Sequence, residues 1–73
     1  MPLNSQNVLR LIQMGAQVEI DAFERNTDNI IMLAQAVAAQ GRTPKVLNVG
    51  SKSTANLVRI HEALNGNVIL SGV

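Results

Sequence analysis

Three stretches of the chain carry the same run of polar and apolar positions. Ser5-Gln6-Asn7-Val8-Leu9-Arg10-Leu11, Thr27-Asp28-Asn29-Ile30-Ile31-Met32-Leu33 and Thr54-Ala55-Asn56-Leu57-Val58-Arg59-Ile60 each read Ser/Thr-x-Asn, then apolar, apolar, x, apolar. Each is closed by a glycine (Gly15, Gly41, Gly66) and followed by a valine-centred run: Gln17-Val18-Glu19-Ile20, Lys45-Val46-Leu47-Asn48-Val49 and Asn67-Val68-Ile69-Leu70. Such self-similarity marks a repeat architecture. The uneven spacing of the units falls in helix and loop length, where repeats tolerate insertion.

One unit reads as a capped helix followed by a strand. Asn4, Asn26 and Ser53 precede the shared Ser/Thr and are good N-cap residues, while Asn7, Asn29 and Asn56 stand three positions on, where a capping box places its return partner. The apolar stripe is clearest at Ile30, Leu33, Ala34 and Val37, spaced i, i+3, i+4, i+7, and recurs as Leu57, Ile60 and Leu64. The glycines supply the left-handed residue that ends a helix, and Pro44 keeps the second helix from resuming. The pattern therefore predicts helices near 5–14, 27–40 and 54–65 and strands near 17–21, 45–49 and 67–71. A competing reading is one helix over 17–40, since Ile20, Phe23, Thr27, Ile30, Ala34 and Val37 also keep helical spacing. The Asn26-Thr27 cap favours the break.

Alternation of helix and strand through short connections implies an α/β fold, αβαβαβ, with a small parallel sheet. The expected organisation is a single domain of three αβ units, about 4–22, 26–50 and 53–73, stacked like a solenoid. With a strand and a helix per unit of roughly 20 to 30 residues, the chain resembles leucine-rich repeats in architecture alone; their L-x-x-L-x-L-x-x-N spacing is absent. Aligning Val18, Val46 and Val68 puts Ile20, Asn48 and Leu70 on the same face and Glu19, Leu47 and Ile69 on the other, followed there by Asp21, Val49 and Ser71. If the strands lie in sequential order, the helices cover one face only and leave Leu47, Val49 and Ile69 in water. Parallel sheets are normally covered on both faces. The last strand also has neither charge nor proline to blunt it as an edge, whereas the first has Glu19 and Asp21. The expected remedy is oligomerisation, with Leu47, Val49, Ile69 and Val73 as interface residues.

Composition supports a folded chain and narrows the chemistry. In 73 residues, 47% are apolar and 15% charged, which is too apolar for disorder, and no apolar run reaches the roughly 20 residues of a membrane span. A domain this small buries only roughly 60% of the surface its unfolded chain exposes. There is no cysteine, so disulfides, thiolate metal sites and cysteine nucleophiles are excluded. A net charge of +1 and one aromatic, Phe23, make a nucleic-acid partner unlike this chain, which lacks both basic excess and stacking platform. The opening Met-Pro-Leu-Asn-Ser has no charged n-region followed by an apolar core, so the expected location is cytoplasmic.

Few polar groups are placed for chemistry. Gly50-Ser51-Lys52-Ser53-Thr54 follows a strand and opens a helix, where free N–H groups and the helix dipole favour an anion such as a nucleotide phosphate. The phosphate-loop pattern G-x-x-x-x-G-K-[ST] is not met: Ser51 separates Gly50 from Lys52, and position 45 is lysine. Capping explains this segment better. His61, the sole histidine, follows Leu57 by four residues and is expected at the edge of the packed stripe rather than beside a serine nucleophile such as Ser51, Ser53 or Ser71. Asp21, Glu24 and Asp28 crowd the entry to the second helix, yet they lack the order and glycine of a calcium loop and suit the positive end of a helix. Arg10 and Arg59 share a position in the repeat, as a solvated helix face would. The sequence thus favours a structural or interaction module, self-associating, with a protein partner, no cofactor and no catalysis; the alternative is a small-anion binder at Gly50–Thr54.

Overall fold

The structure, a computed structural model that describes residues 3–73, has three helices and a three-stranded parallel sheet. In chain order they are α1 (Ser5–Gln13), β1 (Ile20–Asp21), α2 (Thr27–Ala39), β2 (Lys45–Leu47), α3 (Thr54–Ala63) and β3 (Ile69–Leu70). Short 3-10 turns, Ala22–Glu24 and Val49–Ser51, follow β1 and β2. The strands lie in the order β1-β2-β3, all parallel. The residues 17–40 are broken into strand, turn and helix rather than forming one helix.

The helix starts repeat one local geometry. Asn4, Asn26 and Ser53 are extended, and the side-chain oxygen of each accepts from the backbone N–H three residues on, at Asn7 (2.9 Å), Asn29 (2.9 Å) and Asn56 (3.2 Å). One of the four orphan N–H groups of each helix is satisfied in this way. Gly15 and Gly41 take positive φ just past α1 and α2. The third stop differs from the sequence reading. Past α3 it is Asn65, at φ 52°, that first turns left-handed, and Gly66 follows with its N–H on the His61 carbonyl (2.9 Å). Asparagine tolerates this conformation because its short side chain can bond locally.

The core lies between the helices and one face of the sheet. Ile20 and Val46 point into it beside Val8, Ile12, Ile30, Leu33, Ala34, Val37, Ile60 and Leu64, all buried, with Leu70 packed against them. The register pairs Ile20 with Val46 and Val46 with Leu70. This is two residues from the valine-to-valine alignment of the first strand with the second, and of the second with the third. A shift of two preserves which residues share a face.

Candidate functional site

The helix-free face of the sheet is built from two rows of side chains. Glu19, Lys45 and Ile69 form the first, with the Lys45 ammonium 3.5 Å from the Glu19 carboxylate and Ile69 paired beside Lys45. Asp21 and Leu47 are paired in the second, which Ser71 continues. Polarity runs across this face: β1 contributes only acids, while β2 and β3 contribute Leu47, half-buried, and Ile69, 49% exposed. Val73 lies beyond β3 and is exposed.

Val49 does not belong to this face. It is fully buried in the core, and the cause is local. Asn48 adopts the left-handed conformation (φ 58°, ψ 38°), which ends β2 and turns Val49 under the helices. The alternation that placed Val49 beside Leu47 holds only while the chain stays extended.

At the carboxyl ends of the strands, the same turn binds the chain's own tail. Val49 N–H donates to the Ser71 carbonyl (3.1 Å) and Gly50 N–H to the Gly72 carbonyl (3.0 Å). The approach is too close for side chains: a Cβ on Gly50 would sit 2.9 Å from the Gly72 oxygen, and one on Gly72, whose φ is +79°, would sit 3.1 Å from the Asn48 nitrogen. This use of Gly50 and Gly72 was missed in the sequence, where the only signal was a glycine directly after the second and third strands. Beside it, Asp21, Phe23, Asn48, Gly50, Ser51 and Gly72 line an open cleft of ≈ 400 Å³. Asn48 Nδ2 donates to Asp21 Oδ1 (2.9 Å), as does Phe23 N–H (2.9 Å). The Asn48 amide, then the Phe23 N–H, hold the Asp21 carboxyl below its ordinary range.

The segment Gly50–Thr54 borders that cleft without converging on it. Ser51 N–H and Lys52 N–H bond to Asn48 and Val49 carbonyls (3.2 and 3.0 Å), and Ser51 Oγ donates to the Asn48 carbonyl (2.8 Å). Lys52 Nζ turns away to the Arg25 carbonyl (2.7 Å), and Ser53 caps α3. The one ionised side chain on the cleft is Asp21, whose charge opposes an anion. Thr54 is exposed.

The remaining polar candidates are dispersed. His61 is exposed, its ring against Gly66, where an added Cβ would stand 3.3 Å from Cε1. Asp28 pairs with Arg59 (2.7 Å) across α2 and α3, while Asp21 is held by Asn48, so these carboxylates do not gather with Glu24. Among the described residues no group of three acids or histidines is placed to hold a metal ion. Arg10 is exposed and Arg59 is occupied by Asp28.

A second cleft, ≈ 680 Å³, opens at the other end of the strands, below the ends of α1 and α2. Ile12, Val18 and Val37 form its apolar floor; Glu19, Arg42 and Lys45 stand around it. Arg42 Nη1 is engaged with the Gly15 carbonyl (2.9 Å), which ties the two helix ends together, and Glu19 and Lys45 pair with each other. Each of its charged groups thus has a partner within the chain. Among the described residues no helix is long and apolar enough to cross a membrane. No family model matches this chain, and no curated protein or solved structure matches it.

Proposed function

We propose that this chain is a structural and interaction module: three stacked αβ repeats that associate with further copies, present a surface to another macromolecule, and carry out no catalysis. The observation that carries this reading is the one-sided sheet. Its inner face is sealed by the helices, while the outer face leaves Ile69 exposed and Leu47 half-buried, and among the described residues no strand pairs with the outer edge of β3. Water-exposed apolar surface on a parallel sheet favours burial against a neighbour. The uncharged β3 edge invites pairing in the same direction. The alternative, anion binding at Gly50–Thr54, is supported only by the position of the segment at a helix start, since the Gly50, Ser51 and Lys52 N–H groups are spent on the chain's own carbonyls.

Two substitutions test association without disturbing the monomer. Ile69→Glu places a carboxylate beside Lys45, and Leu47→Lys places an ammonium beside Asp21, so each new charge has a partner within the sheet. Light scattering over a concentration series should give oligomers for the natural chain and a lower mass for at least one variant, because a charge buried in an interface is costly. A natural chain that is monomeric at every concentration rejects the reading. Calorimetry with millimolar phosphate addresses the alternative, for which Lys52→Ala should weaken any heat of binding.

A further inference from the structure

The two ends of the stack are complementary, and we infer that the partner of the α3/β3 end is the α1/β1 end of a second copy, so that copies join head to tail. This rests on the self-association reading and specifies its mode. Aligned from Ser5, Thr27 and Thr54, Leu11, Leu33 and Ile60 share one position. Leu33 and Ile60, in the second and third units, are 0% exposed, whereas Leu11, in the first of the three, is 37% exposed. The neighbouring positions show the reverse. Ile12 and Ala34, in the first and second units, are buried, and His61, in the third, is exposed. Leu9 and Ile31 are half-buried; Val58, their equivalent at the last end, is 46% exposed. One side of each helix thus receives the unit before and the other the unit after. The first end lacks what the last end offers.

The strands carry the same asymmetry. Ile69 and Ser71 direct their N–H groups to Pro44 and Val46 of the second unit (2.9 Å each), so the alternation of a parallel ladder aims the Leu70 N–H and carbonyl outward. A second copy's β1 alongside would continue the row Ile20, Val46, Leu70 with another Ile20 on the core side. Helix α1 of that copy would then bring Leu11 toward Leu57 and Val58. This is a heterologous contact, which generates open chains or rings rather than closed two-fold dimers.

The internal junctions also contain a ladder that a copy cannot extend. The residue before each N-cap reaches back to its equivalent in the unit before: Arg25 Nη2 to the Leu3 carbonyl (2.8 Å) and Lys52 Nζ to the Arg25 carbonyl (2.7 Å). In an arriving copy that residue is Leu3, which has no donor to offer the Lys52 carbonyl, and His61 stands where the internal junctions have Ile12 and Ala34. The junction between copies is therefore weaker than those within one, and Leu3→Lys should strengthen it.

Complementation distinguishes this mode from every isologous one. Leu11→Lys spoils the first end and Val58→Lys the last, both at exposed positions, with far-UV circular dichroism verifying that each variant is folded and Leu11→Gln replacing the first if it is not. In sedimentation velocity the natural chain should gain mass with concentration past a dimer. Each variant alone should be monomeric, and their equimolar mixture should form a dimer that does not grow. Leu3→Lys should raise the mean mass at fixed concentration. Oligomers that persist in both end variants, or a mixture that stays monomeric, overturn the head-to-tail mode; if Leu47→Lys dissociates them, face-to-face association still stands. A natural chain that never associates overturns both.

Discussion

The inner and outer faces of the same three strands differ in almost every respect. Inside, Ile20 and Val46 are buried beneath three helices; outside, one residue away along each strand, stand Glu19, Asp21, Lys45, Leu47 and Ile69. Because side chains alternate, adjacent residues on a strand experience opposite solvents. The inner face has a narrow tolerance for change. The outer face accepts an ion pair, a carboxylate with its amide partner and two apolar side chains, and this mixture suits a surface that is solvated in one state and covered in another.

The largest difference between the two faces lies in the core. Ile30→Ala empties space among fully buried neighbours and should cost about 2–5 kcal/mol, enough to unfold most of a domain this small; Ile69→Ala, on the outer face, should cost less than about 1 kcal/mol in the monomer. Urea denaturation of both variants at low concentration measures the contrast. Next comes the tail. Gly72→Ala forces a left-handed alanine against the Asn48 backbone or releases the two bonds that Val49 and Gly50 make to the tail, a loss of roughly 1–2 kcal/mol, read from the denaturation midpoint. A smaller effect follows at a cap, where Asn26→Ala should cost about 1 kcal/mol and fray the start of α2, visible in amide exchange at Asn29.

The smallest effect is electrostatic. The folded pKa of Asp21 lies below its unfolded value, so its contribution is complete above the unfolded pKa, about 4, and is lost as pH falls through the folded value. Acid titration of stability should therefore be shallower in Asp21→Asn than in the natural chain below about pH 4.

The elements were legible because their signals are local. Each helix start coincides with a cap residue, each strand falls within its expected range, and the helices end within two residues of the expected positions. The strands are shorter than expected for reasons no periodicity encodes. Asn48 turns left-handed and carries Val49 inward, and pairing begins at Ile20 rather than Val18 because the register is settled by packing across strands. Leu47 and Ile69 were legible as outward-facing, since a register shift of two leaves parity unchanged. The loop at Gly50–Thr54 was misleading in one respect. The Gly50 N–H is taken by the returning tail, a contact between residues more than 20 apart that only the folded chain brings together, and the Ser51 and Lys52 N–H groups close a local turn on the Asn48 and Val49 carbonyls.

In the proposed association, further copies cover the outer face of the sheet or the α1/β1 and α3/β3 ends. Sedimentation equilibrium of the natural chain over a hundredfold range of concentration tests it most directly, accompanied by thermal melts at the same concentrations. An average mass above 7.8 kDa that rises with concentration is expected, with a melting temperature that rises with it because association stabilises only the folded state. A mass fixed at 7.8 kDa throughout, with a melting temperature independent of concentration, would contradict it.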